Sequence, residues 1–211
     1  MSIYQRFCTE ICDERGRLQK LSLSYPENFN FGYDVVDAIA AESPDKRALV
    51  WCGSENQEKF FSFEDVRRSS NRMANLFHRA GIGRGDRVML VLKRHYEYWL
   101  AAIALHKLGA VMIPVTHMLT TADFVYRMKA APMKAIVCTC QNEVPSKIRQ
   151  ALKESGIHAK LWCAQGDAEG FENLNEAMEK ENEEFARVET LASEPMLLYF
   201  TSGTTGYPKG V

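Results

Sequence analysis

The strongest constraint in this sequence is an alternation of short apolar runs with helical stretches. Val88–Leu92 (V-M-L-V-L) is a continuous apolar run of the kind needed by a strand buried on both faces, and Tyr96–Leu108 is an apolar helix stopped by Gly109. Ala110–Val115, Lys134–Thr139 and Lys160–Cys163 repeat the strand pattern, with helical stretches Ala122–Ala130 and Ser146–Ser155 between them. Strands separated by helices return to the sheet by crossovers, not hairpins. The β-α-β-α-β-α-β order therefore predicts an α/β fold: a mainly parallel sheet of at least five strands, right-handed crossovers and helices on both faces. A helical bundle and an antiparallel sandwich are both excluded.

The flanks obey other rules. Residues 1–33 read as a polar, irregular lead, and Asp34–Ala41 as a short helix stopped by Ser43-Pro44. Ala48–Cys52 and Lys59–Ser62 read as a hairpin around the polar turn Gly53–Glu58. Ser62 and Asp65 have the form of a capping box opening a helix over 63–80. Asn173–Ala186 reads as an acidic helix with a solvated face, Leu191–Pro195 as a link, and Met196–Phe200 as a last apolar strand. With 211 residues, 34–211 is expected to form one unit. Gly81-Ile82-Gly83-Arg84-Gly85 resembles part of a dinucleotide fingerprint, but it follows a helix and precedes a strand, the reverse of what that fingerprint needs. It is expected to be a helix C-cap and a tight turn.

Composition narrows the function classes. The 26 Lys+Arg and 27 Asp+Glu leave a net charge of -1, so no global field recruits nucleic acid or an anionic membrane. The most apolar run, Tyr98–Leu105, is far shorter than the ~20 residues of a membrane span, and the start has no apolar signal core, so the expected compartment is the cytoplasm. Cys8, Cys12, Cys52, Cys138, Cys140 and Cys163 form no C-x-x-C pair and are expected to be buried or idle thiols. His78, His95, His106, His117 and His158 have neither ligand nor triad spacing and are expected to be packed or solvated. No residue is assigned a metal.

The chemistry gathers at the end of the chain, in L-L-Y-F-T-S-G-T-T-G-Y-P-K-G-V. Thr201–Gly210 holds three glycines, four small hydroxyl residues and one lysine, with no carboxylate and no large aliphatic side chain. Glycines at 203, 206 and 210 let backbone N–H groups approach oxygen anions, Thr201, Ser202, Thr204 and Thr205 add hydroxyl donors, and Lys209 adds a compact positive charge. Such a loop suits a polyphosphate. It is not a Walker A loop, because Tyr207 and Pro208 stand between Gly206 and Lys209, and Gly210 follows the lysine.

T-S-G-T-T-G-Y-P-K-G resembles the phosphate-binding signature of the adenylate-forming superfamily, which includes acyl-CoA synthetases, adenylation domains of peptide synthetases and luciferases. Phe61–Ala74, Gly81–Leu92 and Ala102–Val115 resemble the same family's N-terminal region in order and spacing, and Pro26–Asp37 resembles most the medium-chain acyl-CoA synthetase branch. The resemblance implies that a carboxylic acid attacks the α-phosphate of ATP, releasing pyrophosphate, and that coenzyme A then takes the acyl group as a thioester. It also implies that Thr201, Ser202, Gly203, Thr204, Thr205, Gly206, Tyr207, Pro208 and Lys209 bind the ATP phosphates, with Mg²⁺ beside Lys209. The family continues past the position of Val211 with the rest of its acyl and adenine pockets, an acidic residue serving the metal, ribose contacts and a C-terminal domain bearing a lysine. This chain is therefore expected to be the first part of a synthetase, with no catalytic residue of its own and no turnover alone. Two other functions compete: an adenylation domain that loads a carrier protein, and a non-catalytic nucleotide-binding or scaffold module. Acyl specificity and self-association stay open.

Overall fold

A computed structural model describes residues 3–54, 56–201, 206 and 208–211. Its centre is a parallel sheet. Counting strands along the chain, β1 (Cys8–Cys12) and β2 (Leu18–Leu23) form one hairpin, and β3 (Arg47–Cys52) and β4 (Glu58–Ser62) form a second. β5 (Arg87–Val91), β6 (Val111–Pro114), β7 (Ala135–Thr139), β8 (Lys160–Ala164) and β9 (Glu172–Asn173) then form the sheet in the order β6-β5-β7-β8-β9, every pairing parallel. The helices are α1 (Ala38–Glu42), α2 (Phe63–Arg79), α3 (Glu97–Leu108), α4 (Thr121–Ala130), α5 (Val144–Ser155) and α6 (Leu174–Glu179).

Period-two alternation divides the strands between two cores. Val88, Leu90, Ala135, Val137 and Trp162 face α2, α3 and α6, where they meet Phe77, Leu100, Leu105 and Leu174. Met89, Val91, Ile136, Cys138 and Cys163 face α4 and α5, where they meet Phe124, Met128 and Ile148. The expected three-layer α/β fold is present. The chain reverses direction across the sheet after β6, and its helices change face there, as right-handed crossovers require. Burial pushes the Cys138 thiol well above its ordinary range.

The punctuation works as expected from local chemistry. Ser62 and Asp65 form a reciprocal capping box on α2, and Thr120 and Asp123 form another on α4. The Gly81 N–H donates to the His78 carbonyl and the Ile82 N–H to the Phe77 carbonyl, with Gly81 at φ +81°, so the glycine-rich stretch ends α2. Lys107, fully buried near the C-terminus of α3, donates to Asp37 Oδ1 and Asn71 Oδ1 at 2.7 Å and to Ser70 Oγ at 3.1 Å. Burial pushes the Lys107 ammonium down and the Asp37 carboxyl up, against their mutual attraction.

Two expectations fail. The lead segment is not irregular throughout, since it carries the β1–β2 hairpin, whose turn is tied by Asp13 Oδ1 accepting from the N–H groups of Arg15 and Arg17 at 2.9 Å each. A bulge between Ile11 and Cys12 breaks the alternation that would have announced it. The acidic helix ends at Glu179. Beyond it Glu179 and Glu183 would stand at i,i+4, and α2 offers the segment better partners. Asn71 Nδ2 donates to the Glu183 carbonyl at 2.8 Å, and Asn75 Nδ2 to those of Asn182 and Glu184 at 2.9 Å. Arg72 pairs with Glu183 and Arg79 with Glu181, both at 2.7 Å, so these two acidic side chains are neutralised within the chain, while Glu176 and Glu179 of α6 are exposed. A shorter, π-helical turn over Gly32–Asp37 leads into α1. Among the described residues no helix is long and apolar enough to cross a membrane.

Candidate functional site

The last apolar segment is carried by the sheet's free edge. Met112 of β6 donates its N–H to the Met196 carbonyl at 3.0 Å and accepts from the Leu198 N–H at 2.9 Å, a parallel bridge centred on Leu197. The segment therefore runs with β6, and the residues after it project past the carboxyl end of the sheet. There β10 (Phe200–Thr201) pairs antiparallel with β11 (Lys209–Gly210), Thr201 opposite Lys209, extended by two Tyr199–Val211 hydrogen bonds of 2.8 Å. The return strand thus begins at Lys209.

Of the nine residues assigned to phosphate, the structure describes Thr201, Gly206, Pro208 and Lys209; Ser202, Gly203, Thr204, Thr205 and Tyr207 lie outside the described residues. Thr201 Oγ1 donates to the Lys209 carbonyl at 3.4 Å, and both side chains are solvent-exposed. Gly206 sits at φ +128°, a backbone conformation that favours glycine. Tyr126 of α4 donates its hydroxyl to the Pro208 carbonyl at 2.8 Å, and the Phe200 ring lies under the Arg127 guanidinium at 5.3 Å. These contacts fix both ends of the loop to the sheet and to α4. Among the described residues no carboxylate pairs with Lys209, which leaves its charge available to an anion.

A second feature opens at the same end of the sheet. The order reverses between β5 and β7, and ligand crevices of open α/β sheets form at such a point. A crevice of about 660 Å³ lies there, walled by the turn after β5 (Leu92–His95), Thr116 and His117 after β6, Gln141 after β7, Gln165 after β8, and the β3–β4 turn with Trp51. Lys93, Arg94 and His117 line it, and among the described residues no carboxylate does. Its floor is a polar network built on the buried His95, Glu97 and Thr139. His95 Nε2 lies 2.9 Å from Thr139 Oγ1; Gln165 Nε2 donates to Glu97 at 3.0 Å, and Asn175 Nδ2 to the same carboxylate at 2.8 Å. Burial pulls the His95 imidazolium below its usual range, Lys93 and His117 push the same way, and Glu97 and Gln165 oppose them. His95 is packed, as expected, but sequence reading saw neither it nor Glu97 and Gln165 as a group. They come from three different turns and helices, and only the strand order joins them.

Comparison with known proteins places these features in a family. Residues 36–211 match the model of the AMP-binding enzyme family. The chain is 37% identical over 199 residues to human acyl-coenzyme A synthetase ACSM3, mitochondrial, covering 90% of this chain and 33% of that protein. It is 35% identical over 204 residues to mouse acyl-coenzyme A synthetase ACSM4, mitochondrial, covering 93% and 35%. Among solved structures, the Brucella canis acyl-CoA synthetase superposes with a TM-score of 0.76 at 25% identity, covering 87% of this chain and 33% of that one. The anthranilate CoA ligase AuaEII, in complex with anthranoyl-AMP, shares the fold with a TM-score of 0.74 at 19% identity over 89% of this chain and 35% of that one. The chain thus spans about a third of the length of these relatives. With more than four-fifths of its residues matched by the family model, the chain belongs to the AMP-binding enzyme family.

Proposed function

We propose that this chain is the N-terminal third of an AMP-forming acyl-CoA synthetase, and that Thr201–Lys209 hold the β- and γ-phosphates of ATP during adenylation. The observation that carries this reading is the β10–β11 register, which sets Thr201 opposite Lys209 at the mouth of the loop, past the carboxyl end of β6. A carboxylate is a poor electrophile. Its oxygen attacks the α-phosphorus, the bond to the bridging oxygen breaks and pyrophosphate departs; the coenzyme A thiol then displaces AMP from the acyl carbon. The task of the loop is to place the phosphates and to balance charge growing on pyrophosphate, through backbone N–H groups, hydroxyls and the Lys209 ammonium. Mg²⁺, when bound, would neutralise phosphate charge. Among the described residues no group of three His, Cys, Asp or Glu could hold a metal ion.

The test is acid-dependent exchange of labelled pyrophosphate into ATP by the gene product that carries this chain. Exchange with a short or medium carboxylic acid supports the reading, and its absence with every such acid sinks it. Thioester formation on free coenzyme A, not on a phosphopantetheine carrier, separates a synthetase from a carrier-loading domain. Lys209→Ala should slow exchange more than it slows thioester formation from preformed acyl-adenylate, and equal slowing would remove the phosphate role. The medium-chain branch is part of this proposal, and a panel of acids from acetate to octanoate and benzoate checks it. The cytoplasmic expectation rests on the polar start and the short apolar runs, while the human and mouse relatives are named mitochondrial; a C-terminal fluorescent fusion decides the compartment.

A further inference from the structure

We propose that Tyr126 of α4 is a positioning residue for the phosphate loop: its hydroxyl holds the peptide that leads into Lys209, and so sets where the Lys209 ammonium can reach. The proposal rests on the phosphate role given to the loop above. Its starting point is the register of the two strands. Tyr199 and Val211 exchange two hydrogen bonds, so by the alternation of an antiparallel pair Phe200–Gly210 is a non-hydrogen-bonded position and Thr201–Lys209 the next hydrogen-bonded one. At residue 208 the backbone groups then turn outward, away from β10. Proline stands there with no N–H to leave unpaired, and its carbonyl accepts from the Tyr126 hydroxyl at 2.8 Å. That carbonyl belongs to the peptide unit whose nitrogen is that of Lys209. The unit after the lysine is held from the other side, where Thr201 Oγ1 donates to the Lys209 carbonyl at 3.4 Å. Both peptides that flank Lys209 are thereby placed, and its exposed side chain keeps only its own torsions.

The element that carries Tyr126 is itself fixed. α4 opens on the Thr120–Asp123 capping box and buries Phe124 and Met128 completely in the core it shares with α5 and the sheet. Tyr126 stands between those two residues in the chain and reaches the other end of the loop as well. Its ring meets the Phe200 ring edge-to-face, with centroids 6.4 Å apart, and the neighbouring Arg127 guanidinium lies 5.3 Å from the Phe200 centroid. One helical turn thus touches the residue before Thr201 and the residue before Lys209, and a group carried on a packed helix is placed more closely than one carried on a loop. Solvation does not account for the contact. Pro208 is half-exposed, so water could satisfy its carbonyl, and what the tyrosine adds is a fixed place for it. A lysine anchored in this way meets a phosphate with less order left to impose on binding.

The experiment is a double-mutant cycle in the full-length gene product that carries this chain, with Tyr126→Phe, Lys209→Ala and the two combined. Tyr126→Phe removes one oxygen and keeps the ring on Phe200, so the urea midpoint should hold. Labelled pyrophosphate exchange at varied ATP should lose about tenfold in kcat/KM, the scale of one hydrogen bond, and the affinity for inorganic pyrophosphate, read by calorimetric titration, should weaken by a similar factor. Thioester formation from preformed acyl-adenylate should not change. In the Lys209→Ala background, Tyr126→Phe should have little further effect on exchange or on pyrophosphate affinity, because the hydroxyl acts through the lysine. No change in either reading, additive losses, equal slowing of both half-reactions, or a Tyr126→Phe chain that fails to fold would each overturn the proposal. The two readings fail separately. Absence of exchange in the unmodified protein removes the synthetase assignment, while the pyrophosphate titration still decides Tyr126; an unmodified protein that binds no pyrophosphate overturns the positioning role as well.

Discussion

Glu97 and Lys107 are two fully buried charges on one helix, and α3 neutralises them in opposite ways. Each stands where the helix dipole favours it, the carboxylate in the first turn and the ammonium in the last. Lys107 points into the helical layer and meets a countercharge, Asp37, plus two fixed acceptors. Among the described residues Glu97 has no cation within ion-pairing distance, and it is solvated by the side-chain amides of Gln165 and Asn175 at the floor of the crevice. An ion pair holds two elements in one arrangement. Amides can turn, and the carboxylate they solvate is the one beneath the candidate site. The difference separates a charge that builds the scaffold from one that tunes a cavity.

Removal of one charge from each site tests this most severely. Lys107→Met leaves Asp37 half-buried beside two unsatisfied acceptors and should cost about 3–5 kcal/mol in urea unfolding, as loss of one partner of a buried pair does. Asp37→Leu added to it should recover most of that loss, since replacement of both charges by apolar groups is often near neutral. A single variant costing under about 1 kcal/mol would mean that the pair is not what holds α3 to α1 and α2. Glu97→Gln should cost less, about 1–3 kcal/mol, because one carboxylate oxygen becomes an NH₂ facing the donors of Gln165 and Asn175. If the two variants cost the same, the distinction between countercharge and amide solvation fails.

The pH dependence of stability is the next effect in size. Burial lowers His95 and His106 below their unfolded value, so the unfolded chain binds more protons than the native one just below about pH 6.5. Stability is therefore fully present above that value and falls as pH drops toward the folded-state values, by at most about 1.4 kcal/mol per pH unit for each proton. A second loss follows at lower pH. Asp34, with Arg187 beside it, Glu64 beside Arg67 and Asp123 beside Thr120 are held below the ordinary carboxylate range, and their stabilisation disappears as they protonate. Urea midpoints measured from pH 8 down to pH 3 should show both stages, and His95→Gln with His106→Gln should erase only the upper one. A flat profile between pH 7 and 5 in the unmodified chain would contradict the burial argument for both rings.

What could be read in the sequence was what is local. The strands β5 to β8, the capping box at Ser62, and the glycine stops after α2 and α3 follow from spacing and backbone chemistry a few residues long. The strand order β6-β5-β7-β8-β9 does not, and with it went the crevice, because His95, Thr139 and Gln165 meet only after three crossovers. The phosphate loop was visible through composition, a property of one contiguous segment. The Lys107 site was invisible for the opposite reason: it joins Asp37, Ser70 and Asn71 from two other helical elements, and a lone lysine in an apolar helix carries no such signal. The failure of the acidic helix belongs here too, since its competitors, Asn71 and Asn75, lie more than a hundred residues upstream.

The smallest effect lies in that last segment, and it tests whether amide solvation matters outside the core. Asn75 Nδ2 serves the carbonyls of Asn182 and Glu184 as Gln165 and Asn175 serve Glu97, but at the surface, where water can replace it. Asn75→Ala should therefore cost about 0.5–1 kcal/mol, the low end for a hydrogen bond whose partners can rehydrate, well under the cost of Glu97→Gln. The Arg72–Glu183 and Arg79–Glu181 pairs still tie the segment to α2, so the change should show as faster proteolysis between 180 and 186 while the urea midpoint scarcely moves. Salt should enhance that cleavage in the variant, because the surface pairs that help to hold the segment are screened. If Asn75→Ala instead lowers the urea midpoint as far as Glu97→Gln does, amides solvate exposed carbonyls and a buried carboxylate with equal effect, and burial is not what sets the two apart.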